Sequence, residues 1–122
     1  MALANLASDN AENEVKIAAA GCIDAIVRAL NAHPADAGVQ EYGCGTLAHL
    51  ALNAENQVKI AAAGGIAAVL RALDAHPTAA GVQEQGCAAL WNLAANAENQ
   101  VKIVAAGGIE AVSYTHLRAH ET

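Results

Sequence analysis

A glycine-rich string is the first feature of this sequence that could carry chemistry. Gly43-Cys44-Gly45-Thr46-Leu47-Ala48 matches the pattern G-x-G-x-x-G/A, which binds a dinucleotide when a strand precedes it and a helix opens after it. A matching string later in the chain begins at Gly86 and has Ala88 in place of the second glycine. Neither string follows a predicted strand. We therefore predict a helix interior, in which glycine lets a neighbouring helix approach closely, and no nucleotide or other cofactor.

The remaining reactive side chains do not form a catalytic or metal-binding set. No Ser, Cys or His is placed with a base and an orienting acid, and the acidic residues recur by repeat rather than converge. His116 and His120 are spaced i, i+4, which could put two ligands on one helix face, but two ligands make no closed metal site. The sequence therefore predicts neither an enzyme nor a metal site.

Composition and charge exclude several classes of partner. The 122-residue chain is 55% hydrophobic and 2% aromatic, with a net charge of -6. Its six Lys and Arg residues are scattered, which does not suit nucleic acid, and polar residues interrupt every apolar stretch before it could span a membrane. A protein or peptide partner with basic residues fits an acidic chain better. Three cysteines without metal-ligand spacing favour a reducing compartment, so we predict a cytoplasmic or nuclear location.

Internal repetition organises the sequence. The string NAENEVKIAAAG beginning at Asn10 recurs as NAENQVKIAAAG at Asn53 and as NAENQVKIVAAG at Asn96, a spacing of 43 residues both times. Two further matched blocks fall between these strings: GCIDAIVRALNAHP with GGIAAVLRALDAHP, and AGVQEYGCGTLAHLAL with AGVQEQGCAALWNLAA. Each repeat therefore has three segments, and such units must stack to cover their apolar faces.

Each segment has a helical period and a physical stop. In the second repeat, the first helix is predicted over about 54–63, with Asn53 as its cap and a glycine pair, Gly64 and Gly65, at its end. The second helix ends before Pro77, because the residue before a proline is pushed out of the helical region. The third helix is predicted over about 79–95.

Helical spacing also predicts which side chains face the core. We expect a core-facing stripe on the second helix, formed by Ile66, Val69, Leu70 and Leu73, and one on the third, formed by Val82, Gly86, Ala89, Leu90 and Leu93. His33 and His76 are repeat equivalents at the ends of the second helices. We expect their rings to bond the terminal carbonyls of those helices.

The run NLAANAENQVKIVAAGGIEAV, which begins at Asn92, resembles the armadillo repeat family, because it is similar to that family's passage from the end of a third helix through the first helix and its glycine pair. The resemblance covers residues 1–112, as the end of one repeat, two full repeats and a partial one. It implies an all-α, right-handed α-solenoid whose third helices line a concave groove, and protein binding without catalysis. Residues 113–122, SYTHLRAHET, break the pattern and are interpreted as a non-native or divergent tail.

The resemblance also implies where ligands would bind. The family commonly places an Asn near the end of the third helix, where its amide binds the backbone of an extended peptide, and a Trp one turn earlier. The Trp ladder is absent here, because its positions hold Met1, Gly45 and Ala88. The Asn ladder is mostly kept, because an alignment on the N-L-A string places Asn5, His49 and Asn92 at its positions.

Two aromatic residues outside the core stripe offer a substitute for the missing tryptophans. Trp91 and Tyr42 would provide apolar platforms, of a residue type that is frequent at interaction hot spots. Glu41 and Glu84 would attract Lys or Arg, and the amide positions would bond the backbone of the partner. The predicted protein-binding groove therefore consists of Trp91, Asn92, Tyr42, His49, Glu84, Glu41, Gln85 and Asn5.

Several alternatives remain open. Trp91 could instead be buried between repeats, since a third helix is contacted by the repeats on both sides of it. The array could be a structural spacer arm that positions an appended enzyme or signalling domain and has no specific groove ligand. The near identity of the copies also allows an artificial or consensus-like array. The lack of polar capping faces allows end-to-end self-association.

Overall fold

The computed structural model describes residues 11–107, with side chains described for residues 21–107. Within this part of the chain every regular element is a helix, which confirms the prediction of an all-α protein. Asn5, the two tail histidines and residues 113–122 lie outside the described residues. The helices are α1 (Ala11–Ala32), α2 (Ala37–Leu50), α3 (Ala54–Ala62), α4 (Gly65–Ala75), α5 (Ala80–Leu93) and α6 (Ala97–Ala105).

The helix ends of the second repeat lie close to their predicted positions. Asn53 precedes α3, and its side-chain oxygen accepts a hydrogen bond from the backbone N–H of Asn56 at 3.1 Å. Asn96 accepts the equivalent bond from Asn99 at 3.0 Å ahead of α6. After α3, Gly64 adopts a left-handed conformation with φ +87°, which glycine reaches at little cost. A capping asparagine and a terminal glycine therefore delimit this helix.

The first repeat differs, because α1 runs without interruption through the segment where the second repeat has its break. The stop predicted for every segment is therefore wrong here. In the second repeat, a Cβ at Gly65 would overlap the side chain of Ile60, so the break requires a glycine after Gly64 as well. The first repeat has Gly21 followed by Cys22, which carries the Cβ that this packing excludes. The helix continues instead of breaking.

Apolar side chains at helical spacing form the core, as predicted. On α5, all five predicted core residues are buried: Val82, Gly86, Ala89, Leu90 and Leu93. On α4, the predicted stripe is buried at Ile66 and Val69 and half-buried at Leu70 and Leu73. The core therefore consists of small and medium aliphatic side chains, and helices must pack closely to fill it.

Glycines on α2 and α5 allow this close packing. A Cβ on Gly43 would overlap the side chain of Leu30, and a Cβ on Gly86 would overlap that of Leu73. The string that begins at Gly43 lies inside the continuous helix α2, which confirms its predicted helical context. Its glycine therefore accommodates a neighbouring leucine.

Two glutamines attach the third helices to the helices before them. Gln40 donates from Nε2 to the carbonyls of Leu30 at 3.0 Å and His33 at 2.9 Å. Gln83 donates to the equivalent carbonyls of the second repeat at 2.8 and 2.9 Å. These bonds satisfy carbonyls that a helix end leaves without an intrahelical donor. The glutamines, and not the histidines, therefore cap the second helices.

Polar contacts also join successive repeats. The expected role of His76 is wrong, because its Nε2 lies 2.8 Å from the carbonyl oxygen of Pro34 in the preceding repeat rather than on its own helix. Asn92 and Asn99 likewise donate across the boundary, to Ala48 at 2.7 Å and Gln57 at 3.0 Å. Arg71 donates to Asn31. Each of these contacts links residues 40–44 positions apart, so the repeat period is used directly in packing.

Candidate protein-binding face

The third helices α2 and α5 lie side by side and make the most extensive helix–helix contact within residues 11–107. Asp36 caps α2, because its Oδ1 accepts the N–H of Val39 at 3.1 Å. The two glutamines described above anchor α2 and α5 to the ends of the helices that precede them. Their sequences contain Glu41 and Glu84 but no Lys or Arg. The face that they form is therefore acidic.

An open depression of about 380 Å³ lies along the contact between α2 and α5. Its lining includes four of the eight residues predicted for the groove. It also includes two residues that the sequence interpretation did not assign to the groove, a glycine and a threonine of the glycine-rich string in α2. The full lining is Glu41, Tyr42, Gly45, Thr46, His49 and Gln85.

Tyr42 provides apolar surface in the depression, and this tyrosine is 78% exposed. The Thr46 hydroxyl donates to the Tyr42 carbonyl at 2.8 Å, within the same helix. The floor is formed across the two repeats, because the side chain of Gln85 lies over Gly45, where a Cβ would stand 3.1 Å from its Oε1. The tyrosine ring is thus open to a ligand while the residues around it are held in place.

Glu41 has a structural contact in addition to its place in the depression. Its carboxylate lies against Gly81 in the first turn of α5, where a Cβ would overlap it. α5 begins after Ala79 and has no side-chain cap of its own. A negative charge beside the amino end of a helix is favourable, because the helix dipole places partial positive charge there. Glu41 therefore stabilises the start of the next third helix.

The predicted amide ladder is partly used within the protein. Asn92 is half-buried, and its Nδ2 donates to the carbonyl of Ala48 at 2.7 Å. The neighbouring carbonyls of Leu47 and His49 accept backbone bonds from the turn after α2, whereas the Ala48 carbonyl receives this side chain. One Asn92 proton is thus committed to the repeat contact. His49 is exposed and lines the depression.

Trp91 and Glu84 lie apart from the depression. Both are exposed, and Trp91 is 81% exposed, so the alternative of a Trp91 buried between repeats is wrong. Glu84, Cys87 and Trp91 are spaced i, i+3, i+7 on α5 and therefore share one side of this helix. The structure separates the predicted groove into two surfaces, since the two aromatic residues do not line one pocket.

The cysteines differ in accessibility. Cys22 and Cys87 are exposed, whereas Cys44 is buried between α2 and its neighbours. Burial raises the pKa of the Cys44 thiol from 9.0 to about 11, because the thiolate would lose its hydration. Cys44 is therefore a packing residue that stays protonated at neutral pH.

No cluster of three or more His, Cys, Asp or Glu side chains that could hold a metal occurs in the part of the chain that the structure describes. A search of the described helices for one long and apolar enough to cross a membrane found none. Comparisons with protein-family models, curated proteins and solved structures gave no match to this chain. The functional argument therefore depends on the geometry of the third-helix face.

Proposed function

We propose that this chain is an armadillo-type helical solenoid that binds an extended protein segment containing Lys or Arg along its third helices. The observation that carries the proposal is the open depression between α2 and α5, in which an exposed tyrosine lies beside a carboxylate. The third helices carry no Lys or Arg that would repel a cationic ligand. The right-handed, concave arrangement is what the family resemblance implies.

The equivalence of successive repeats supports the solenoid. The glutamine anchor recurs at Gln40 and Gln83, and the packing glycine recurs at Gly43 and Gly86. Contacts that recur at the repeat period are typical of arrays in which each unit packs only on its neighbours. Such arrays use the surface formed by equivalent helices to bind extended partners.

The depression offers complementary groups for a basic segment. A Lys or Arg side chain over the Tyr42 ring would gain about 0.5–1 kcal/mol from the ring's negative face. The Glu41 carboxylate lies at the same depression and would attract the same cation. His49 and Gln85 provide hydrogen-bonding groups for the ligand backbone. The activity is binding without catalysis.

Labelled eight-residue peptides with one to four Lys or Arg, and matched peptides with Gln in their place, test the proposal by fluorescence anisotropy. The basic peptides should bind, and their affinity should fall with added salt because exposed charges are screened. Tyr42→Ala should weaken binding about fivefold, which corresponds to about 1 kcal/mol. Glu41→Gln should weaken binding as well.

Glu84→Gln is the matched control, because Glu84 occupies the same repeat position as Glu41 but does not line the depression. It should leave peptide affinity unchanged, and urea denaturation should establish that every variant is folded. Equal losses for Glu41→Gln and Glu84→Gln would indicate a net-charge effect and not this site. If basic and Gln peptides bind alike, the groove proposal fails and the spacer arm becomes the better hypothesis.

A further inference from the structure

Within the described residues, one side of α5 has no packed neighbour, whereas the equivalent side of α2 is covered by α5. The open face of α5 is formed by Glu84, Cys87 and Trp91, which are all exposed. Their equivalents one repeat earlier are Glu41, Cys44 and Ala48, and these face α5. Cys44 is 0% and Ala48 6% exposed. The open face of α5 is thus the side on which the preceding third helix carries a packed neighbour.

A groove at the other side of the stack is the complementary half of that contact. This α1–α2 groove has a volume of about 520 Å³ and is lined mainly by apolar atoms of residues that include Ile26, Ala29, Val39 and Thr46. The equivalent residues of the second repeat are fully or almost fully buried, with α2 packed on α4 and α5: Val69, Ala72, Val82 and Ala89. In the second repeat this surface is covered by the third helix of the preceding repeat, so the α1–α2 groove has the shape and position to accept a third helix.

We propose that the chain associates head to tail with second copies of itself, the open face of α5 of one copy packing on the α1–α2 groove of the next. The contact between α2 and α5 supplies the alignment. It pairs Glu41 with Gly81, Gly45 with Gln85 and Ala48 with Asn92. In the association, the same alignment places Trp91 beside the second copy's His49, one helical turn beyond the second copy's Thr46 at the end of the groove.

This contact joins two different surfaces, so it is heterologous and extends into chains unless a ring closes. Its polar rim opposes association, because the alignment brings Glu84 towards the second copy's Gly38, beside the capping carboxylate of Asp36. Both copies also carry a net charge of -6. Association should therefore strengthen with added salt, whereas basic-peptide binding at the depression should weaken. Asp36→Asn, which keeps a capping oxygen, should strengthen association.

Sedimentation velocity from micromolar to submillimolar protein, together with Trp91 fluorescence, tests the proposal. The weight-average mass should rise with concentration, and the Trp91 emission should shift to the blue as the indole leaves water. Ala29→Glu blocks the groove and Cys87→Glu blocks the open face of α5, because each places a carboxylate where the equivalent residue is buried. Ala32→Glu and Ala67→Glu add the same charge at exposed positions whose repeat equivalents are also exposed, and they serve as matched controls.

Each blocked variant should remain monomeric, both controls should associate like the parent chain, and a mixture of Ala29→Glu with Cys87→Glu should form one-to-one dimers. The mixture restores one intact contact, since the first variant keeps its α5 face and the second keeps its groove. A monomeric parent chain at all concentrations, blocked variants that still associate, or a mixture that stays monomeric would each overturn the proposal. Neither substituted residue lines the depression, so peptide binding by these variants reports separately on the proposed function.

Discussion

The first and second repeats share most of their sequence, yet equivalent third-helix residues are covered in one and open in the other. Cys44 is buried while Cys87 is exposed, and Ala48 is 6% exposed where Trp91 is 81% exposed. The difference arises because α5 packs on α2, whereas residues 11–107 contain no further third helix to pack on α5. Burial in a repeat protein therefore depends on the neighbouring repeat as much as on the residue's own helix.

An exchange of residues between the repeats should give the largest effect. Ala48→Trp places an indole in the closed contact between α2 and α5 and should lower the free energy of unfolding by about 3 kcal/mol through overpacking. Trp91→Ala removes an exposed ring and should change the free energy of unfolding by less than about 0.5 kcal/mol. Urea denaturation followed by circular dichroism, at concentrations where the chain is monomeric, measures both. Similar losses for the two variants would contradict the difference in burial.

A smaller effect on the free energy of unfolding should distinguish the buried Gln40 from the exposed Gln100. Gln40→Leu leaves the carbonyls of Leu30 and His33 without their donor in a mostly buried place and should cost about 2 kcal/mol. Gln100 is exposed and donates to Ala94 at 2.8 Å, a bond that water can replace. Gln100→Leu should therefore cost less than about 1 kcal/mol. Equal costs by urea denaturation would mean that the Gln40 bonds do not anchor α2.

Local patterns in the sequence were sufficient to predict the helices of the second repeat. Asn53 and Gly64 act within their own turn, and the α5 stripe depends only on helical geometry. The uninterrupted α1 was not predicted. Whether a helix breaks here depends on the absence of a Cβ at the second glycine position, and that requirement is visible only in the packing of Gly65 against Ile60. The glutamine anchors have a visible signal in their recurrence, but their acceptors lie on another helix.

The candidate site was harder to predict than the fold. Tyr42 and Gln85 meet at one depression because α2 and α5 have a particular offset, which helical periodicity does not supply. The same offset directs Asn92 to Ala48 and places Glu41 against the start of α5. Residues at equivalent positions can therefore have different roles, which depend on the helix across the contact.

The pH dependence of stability should also report on the covered position of Cys44. The raised pKa of Cys44 means that its thiol ionises first in the unfolded chain, so its stabilising contribution is complete below pH 9.0 and is lost as pH rises towards about 11. Cys44→Ala should reduce this alkaline loss relative to the parent chain. Urea midpoints across this range measure the effect. An unchanged alkaline slope in Cys44→Ala would contradict the burial of this thiol.

The smallest effect concerns the start of α5, where the first repeat has Asp36 and the second has Ala79. Ala79→Asn should stabilise the protein by about 0.5–1 kcal/mol by supplying the missing side-chain cap. Ala79→Asp should gain less, because the Glu41 carboxylate already lies against Gly81 and would repel a second negative charge. Added salt should narrow the gap between the two variants, since it screens this repulsion more than it affects the cap. An aspartate that stabilises as much as asparagine at low salt would show that Glu41 does not act on this helix end.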